Sequence, residues 1–393
     1  MNLQFSIPCL FGLEGLCADE LKRLKYENII TDNGRVSFTG GLNDIAKANI
    51  NIRTGERVLL TVGETKAGTF DELFEGVRAM PWEQYIPADG AFPVKGHSLG
   101  SKLHSIPDCQ KIIKKAVVER LKAKHKTDTL NETAAKYQMQ FSIMNDIAVL
   151  YLDTSGAGLH KRGYRPVSSA APLRETLAAA IVKLARYRGR EAVCDPFCGS
   201  GTIPIEAALA AINRAPGLNR DFAAEQWAWL EPGIWNDAKE EAKSKEYKGE
   251  YNIWGGDIDP KYIEAAKENA KRAGVSEHIR FEVADATDFK QEIPKASPTN
   301  QTSPADQTSQ TNHKKKHSSG IIMSNPPYGE RVMEHSEAED LYRRFGKAVK
   351  DLNDWNMYIL SSHTEFERTF GKRAVKKRKL YNGMIKCDLF MYY

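Results

Sequence analysis

With 393 residues the chain is long enough for two or three domains, each with its own core. Its 41% hydrophobic and 27% charged residues are ordinary for a globular protein, no apolar run is long enough to cross a membrane, and a net charge of +5 permits a nucleic-acid partner without requiring one. Six cysteines (Cys9, Cys17, Cys109, Cys194, Cys198 and Cys387) include no C-x-x-C pair, which argues against a zinc site or a disulfide framework and for reduced thiols in a cytoplasmic protein. The first basic residue is Lys22, and Glu14 precedes it, unlike a secretory signal.

Leu3, Phe5 and Ile7 alternate as a strand; Leu13, Leu16, Cys17, Leu21 and Leu24 follow at helical spacing. Ile29-Ile30 and residues 36–38 flank the turn Asp32-Asn33-Gly34, and Gly40-Gly41 breaks the chain, so residues 1–40 read as a small α+β unit. A second α+β unit has predicted strands at 58–62, 91–94 and 147–152, another through Tyr137, Met139, Phe141 and Ile143, and helices through Phe70–Val77 and over 106–124. The second of these helices carries Lys111, Lys114, Lys115, Lys122 and Lys124 on one face, which either tracks phosphates or is a solvated surface. Lys161, Arg162, Tyr164 and Arg165 then either grip unpaired RNA or form a docking linker between domains.

From residue 170 helices and strands alternate, which predicts a doubly wound, mainly parallel sheet. Strands end in residues 195–201 (Asp-Pro-Phe-Cys-Gly-Ser-Gly), Asp257-Ile258-Asp259-Pro260, Ala284-Asp285-Ala286 and Asn325-Pro326-Pro327-Tyr328. Such sheets bind ligands beyond the carboxyl ends of their strands. Trp227, Trp229 and Trp235 lie in an irregular aromatic stretch that either stacks on a base or joins a core. Residues 295–319 are Ser-, Thr-, Gln- and Asn-rich and read as a disordered insertion.

The glycine turn lacks the third glycine of a dinucleotide fingerprint, because Pro204 stands there. Asp195 precedes it and would repel a phosphate, whereas S-adenosylmethionine carries an ammonium and a sulfonium. On that reading Asp195, Phe197, Cys198, Gly199, Ser200 and Gly201 hold the methionine end, Asp257 beside Ile258 accepts the ribose hydroxyls, and Asp285 with the Ala286 backbone meets the adenine. Asp259, before Pro260, is a helix cap. Asn325 and the Pro326 carbonyl can accept both protons of an aromatic amine and aim its lone pair at a methyl group. Pro327 stiffens the turn and Tyr328 can stack on the base. No metal is needed.

These motifs resemble the class I methyltransferases that act on amines: D-P-F-C-G-S-G at 195–201, D-I-D-P at 257–260 and S-N-P-P-Y-G-E-R at 324–331. L-H-K-R-G-Y-R at 159–165, P-L-R-E-T-L-A-A-A-I at 172–181 and R-A-P-G-L at 214–218 are similar to the bacterial large-subunit ribosomal RNA guanine-N(2)-methyltransferases that carry a THUMP domain. The resemblance implies a ferredoxin-like module at 1–40, an RNA-binding THUMP domain at 44–155, and a Rossmann-like methyltransferase domain at 165–393 that modifies the 2-amino group of a flipped-out guanine. A transfer-RNA guanine methyltransferase and a non-catalytic RNA-binding protein are the alternatives.

Overall fold

A computed structural model of the chain describes residues 2–166, 173–288, 320–328 and 335–393. The predicted 295–319 insertion, residues 329–331 of the octapeptide and Pro172 lie outside these. The chain divides into two units, Met1–Leu159 with Ala215–Ser244, and His160–Arg214 with Lys245–Tyr393.

The first unit runs β1 (Leu3–Pro8), α1 (Glu14–Arg23), β2 (Glu27–Asp32), β3 (Arg35–Gly40), α2 (Asn43–Asn51), β4 (Leu59–Lys66), α3 (Phe70–Ala79), β5 (Val94–Leu99), α4 (Ile106–His125), β6 (Met139–Met144) and β7 (Ile147–Asp153). Its strands form one seven-stranded sheet in the order β2-β3-β1-β4-β7-β6-β5. One expectation changes here. The strand predicted at 91–94 begins only at Val94, and Ala91 makes an isolated bridge to Lys136. Pro93, with no N–H, cannot continue a ladder on both sides. The break at Gly40-Gly41 falls where β3 ends; the Gly41 N–H donates to Asp44 Oδ2 at 2.7 Å, and α2 begins two residues on.

In the second unit α5 (Glu175–Leu184), β8 (Ala192–Asp195) and α6 (Thr202–Ala211) come first. The chain then contributes α7 (Gly233–Ser244) to the first unit. Phe222, Trp227, Leu230, Ile234 and Trp235 are buried in that unit's core. Trp227 stacks on Tyr137 at 5.2 Å between centroids, and its indole N–H donates to the Lys136 carbonyl at 3.1 Å. Of the two roles left open for the tryptophans, core packing holds for Trp227 and Trp235.

The second unit continues with β9 (Ile253–Asp257), α8 (Pro260–Ala273), β10 (Ile279–Val283), β11 (Gly320–Ser324), α9 (His335–Ala348), β12 (Trp355–Ser361), α10 (Phe366–Phe370), β13 (Lys376–Asn382) and β14 (Ile385–Tyr392). Strand order is β10-β9-β8-β11-β12-β14-β13, with the first five parallel and β14 and β13 antiparallel. This is the predicted doubly wound sheet. Because β8 to β12 run the same way, Asp195, Asp257 and Ser324 all end on one edge. Asp259 caps α8, accepting from the Lys261 N–H at 2.8 Å, a contact worth about 1 kcal/mol.

Candidate active site

The glycine turn is shaped by backbone that only glycine adopts readily. Gly199 has φ +51° and Gly201 φ +85°. A Cβ on Gly201 would lie 3.0 Å from Ala266 and Phe281, so this glycine lets the turn pack closely against α8 and β10. A Cβ on Gly199 would meet nothing within 4 Å, so this glycine faces the open side of the turn, where a ligand would lie. The Gly199 N–H donates to Asp257 Oδ2 at 2.9 Å and the Asp259 N–H to Asp257 Oδ1 at 3.0 Å. A carboxylate has about four acceptor positions, so these contacts leave Asp257 room for a further donor. Burial raises its pKa, against the pull of those two N–H groups and the Ile258 N–H. Ile258 beside it is 71% exposed.

Asp195 differs from expectation. It is buried beneath the turn, and its Oδ1 accepts from Ser324 Oγ at 2.6 Å and from the Phe197 N–H at 3.1 Å. Burial pushes its carboxyl up to about 7, and the Asp257 charge adds to this, while the two hydrogen bonds oppose it. Asp195 therefore ties the end of β8 to the end of β11. Around it, the Cys198 N–H donates to the Gly256 carbonyl at 2.9 Å, the Ser200 carbonyl accepts from Asn269 at 3.0 Å, and Phe197 meets Phe345 edge-on.

At the third strand end Asp285 Oδ1 accepts from the Thr287 N–H at 2.8 Å and its hydroxyl at 2.7 Å, while Oδ2 lies 3.4 Å from Arg344. Burial opposes ionisation, but these partners outweigh it and hold the carboxyl below its usual range. Ala286 is buried next to it. An open depression of about 390 Å³ lies beside this end, lined by Thr287, Asp288, Arg344, Lys347 and Ala348.

The fourth end holds the Asn325-Pro326-Pro327-Tyr328 turn. The Tyr328 hydroxyl donates to Asn325 Oδ1, occupying one of its two lone pairs and leaving the other. The Tyr342 hydroxyl donates to the Pro327 carbonyl and lies 3.5 Å from Ser361 Oγ. Burial pushes the Tyr342 phenol up to about 12, so it stays a donor. The turn is thus held from below by Ser324 and from behind by Tyr342. Sequence reasoning missed Ser324, Tyr342 and Arg344. Tyr342 had a signal, since it falls three residues before Phe345 on the buried face of α9.

The expected RNA-gripping segment is corrected. Arg162 pairs with Glu206 at 3.2 Å, and both side chains are almost wholly buried. Tyr164 is buried. Arg165 donates to Thr202 Oγ1 and the Leu173 carbonyl and lies 3.5 Å from Glu175. The extended chain alternates, so Arg162 and Tyr164 turn inward while Lys161 is exposed. On α4, Lys114 is occupied by Glu132 at 2.6 Å, the Phe92 carbonyl at 3.1 Å and the Phe92 ring at 3.5 Å. Lys111 and Lys115 are exposed. Among the described residues no group of three or more His, Cys, Asp or Glu could hold a metal ion, and no helix is long and apolar enough to cross a membrane.

A parallel sheet with a glycine turn, acidic strand ends and an amide-proline turn on one edge is the architecture of a methyltransferase. The chain belongs to the RMKL-like methyltransferase family, whose domain matches residues 162–298 and 295–390, preceded by an RlmL ferredoxin-like domain at 4–59 and a THUMP domain at 67–153. YpsC of Bacillus subtilis, provisionally named as an RNA methyltransferase, is 43% identical over 97% of this chain and 94% of its own. The ribosomal RNA large subunit methyltransferase K/L of Psychromonas ingrahamii is 35% identical over 99% of this chain and 50% of its own; the chain spans about half the length of such relatives. A solved Listeria monocytogenes protein, described as a predicted N6-adenine-specific DNA methylase, is 43% identical with a TM-score of 0.89, covering 100% of this chain and 96% of that one. SMU.472, a methyltransferase solved with S-adenosylhomocysteine, is 36% identical with a TM-score of 0.87, covering 100% of this chain and 98% of that one.

Proposed function

We propose that this chain methylates the 2-amino group of a guanine in RNA, with large-subunit ribosomal RNA as the substrate class and S-adenosylmethionine as donor. The observation that carries this is the anchored turn at Asn325, one amide lone pair free, on the same strand edge as the glycine turn. The open side of Gly199 and the spare acceptor positions of Asp257 fit an adenosine with a methionine tail. The donor supplies an electrophilic methyl group on sulfur. Asn325 Oδ1 and the Pro326 carbonyl accept the two amine hydrogens, draw the nitrogen lone pair out of conjugation and point it across the edge. Asp195 and Ser324 fix the spacing between the two turns. Residues 44–155 would hold the RNA, with Lys111, Lys115 and Lys161 as exposed phosphate contacts.

A THUMP domain in the chain supports RNA over DNA, and relatives named for large-subunit ribosomal RNA support that pool over transfer RNA. The test is turnover with labelled donor on ribosomal RNA, transfer RNA and DNA, followed by nucleoside analysis. N2-methylguanosine in ribosomal RNA is expected, and Asn325→Ala should abolish it with donor affinity within about twofold of the parent. N6-methyladenosine as the product, or unaltered turnover in the variant, overturns the reading.

A further inference from the structure

Strand β13 is the outer strand of the second sheet and reads Lys-Lys-Arg-Lys-Leu-Tyr-Asn. Its register with β14 sets Lys379 opposite Asp388, Leu380 opposite Cys387, Tyr381 opposite Lys386 and Asn382 opposite Ile385. Directly opposed residues share a face. Leu380 and Cys387 are therefore the buried face, and Lys379, Tyr381 and Lys386 an exposed one. Farther from the turn, Lys377 on that exposed face is tied to Glu367 at 2.7 Å. Between the strands Gly383 takes φ +67° and Met384 stands 96% exposed, an apolar tip between cations.

The hairpin lies against the reaction centre. Ser361, at the carboxyl end of β12, pairs with Asp388, so the turn that begins β14 projects past the edge on which β11 ends. The Tyr328 phenol is close enough to Cys387 and Asn382, on the buried face of the hairpin, for both to shift its pKa. Lys386 adjoins Cys387 along β14 but turns to the other face of the strand, on the stretch that projects past this edge. A nucleotide whose base reached Asn325 would lie at the edge past which this turn projects.

We propose that the β13–β14 hairpin is a second substrate-gripping element, in which Lys379 and Lys386 bind phosphates flanking the target nucleotide and Met384 enters the gap its base leaves. This rests on the RNA reading above and adds a contact within the catalytic unit itself. Tyr381 offers a ring for an adjacent base, and Asp388 offsets part of the charge, which leaves a local grip rather than a broad field. Apolar wedges of this kind accompany opening of stacked bases.

The test uses the full chain. Each single-strand phosphate contact contributes about 0.7 to the slope of log affinity against log salt, so two contacts are worth about tenfold in affinity at 0.15 M salt. Lys379→Gln with Lys386→Gln should weaken binding of a large-subunit RNA fragment about tenfold and lower the salt slope by about 1.4, with donor affinity and thermal midpoint unchanged. Met384→Ala should slow turnover on a paired target while sparing an unpaired one. Parental RNA affinity and slope in the double variant overturn the proposal, as does loss of binding to anionic lipid vesicles without loss for RNA. If the parent chain binds no RNA, the RNA reading falls as well; if it binds and the variant equals it, the hairpin alone falls.

Discussion

Replacing Asp195 by asparagine should make the protein more stable at neutral pH and leave it nearly unchanged in acid. The carboxyl is 1% exposed and held at about 7, against an ordinary value of 3.8. Raised in the folded state, it stabilises the fold fully below the unfolded value and loses that contribution as pH rises through the folded one. Each pH unit across that interval is worth about 1.36 kcal/mol, so about 4 kcal/mol of stability disappears between about pH 4 and pH 7 and the deficit is constant above. The amide introduced by Asp195→Asn would keep an oxygen acceptor for Ser324 and the Phe197 N–H without a charge to desolvate. Denaturant midpoints of parent and variant across pH 4 to 8, with the methyl donor absent, measure the difference. A gap that opens from near zero in acid to several kcal/mol at pH 8 is expected. A constant gap, or one that narrows as pH rises, refutes the account of Asp195 as a buried, charge-burdened clasp between strands.

Arg162→Ala leaves the Glu206 carboxylate buried without its partner and should destabilise the second unit by about 3–5 kcal/mol in chemical unfolding. RNA affinity per folded molecule should not move; a selective loss of RNA binding at full stability would restore the surface role that its burial denies. Trp227→Ala should cost about 3–5 kcal/mol in the unfolding transition of the first unit, since it removes a stacked, hydrogen-bonded core ring. Donor affinity measured by calorimetry on the folded variant should match the parent's.

The strands and turns of the second unit were legible because each chemical signature is local. A strand, a glycine turn and a helix sit within about twenty consecutive residues, and apolar strands ending in acidic or amide groups mark one edge. Strand β13 was not legible, because Lys376, Lys377 and Lys379 hide the alternation that an outer strand needs on one face only. Helix α2 was hidden by two preceding glycines, although Ile45, Ala46, Asn49 and Ile50 have helical spacing. The clasp between Asp195 and Ser324 joins residues 129 apart, and nothing in either neighbourhood announces it. Arg162 and Tyr164 misled because charged and phenolic groups are read as surface, and only tertiary structure supplies Glu206 beneath them.

Residues Ala215–Ser244 belong to the first unit although the polypeptide on either side belongs to the second. The backbone therefore crosses between the two bodies three times, after residues 159, 214 and 244. A ribosome that has released only the first 159 residues has made a sheet still missing Phe222, Trp227 and Trp235 from its packing. The amino-terminal body must wait until the catalytic one has been begun, and a fragment cut at the obvious seam would leave sticky apolar surface on both pieces.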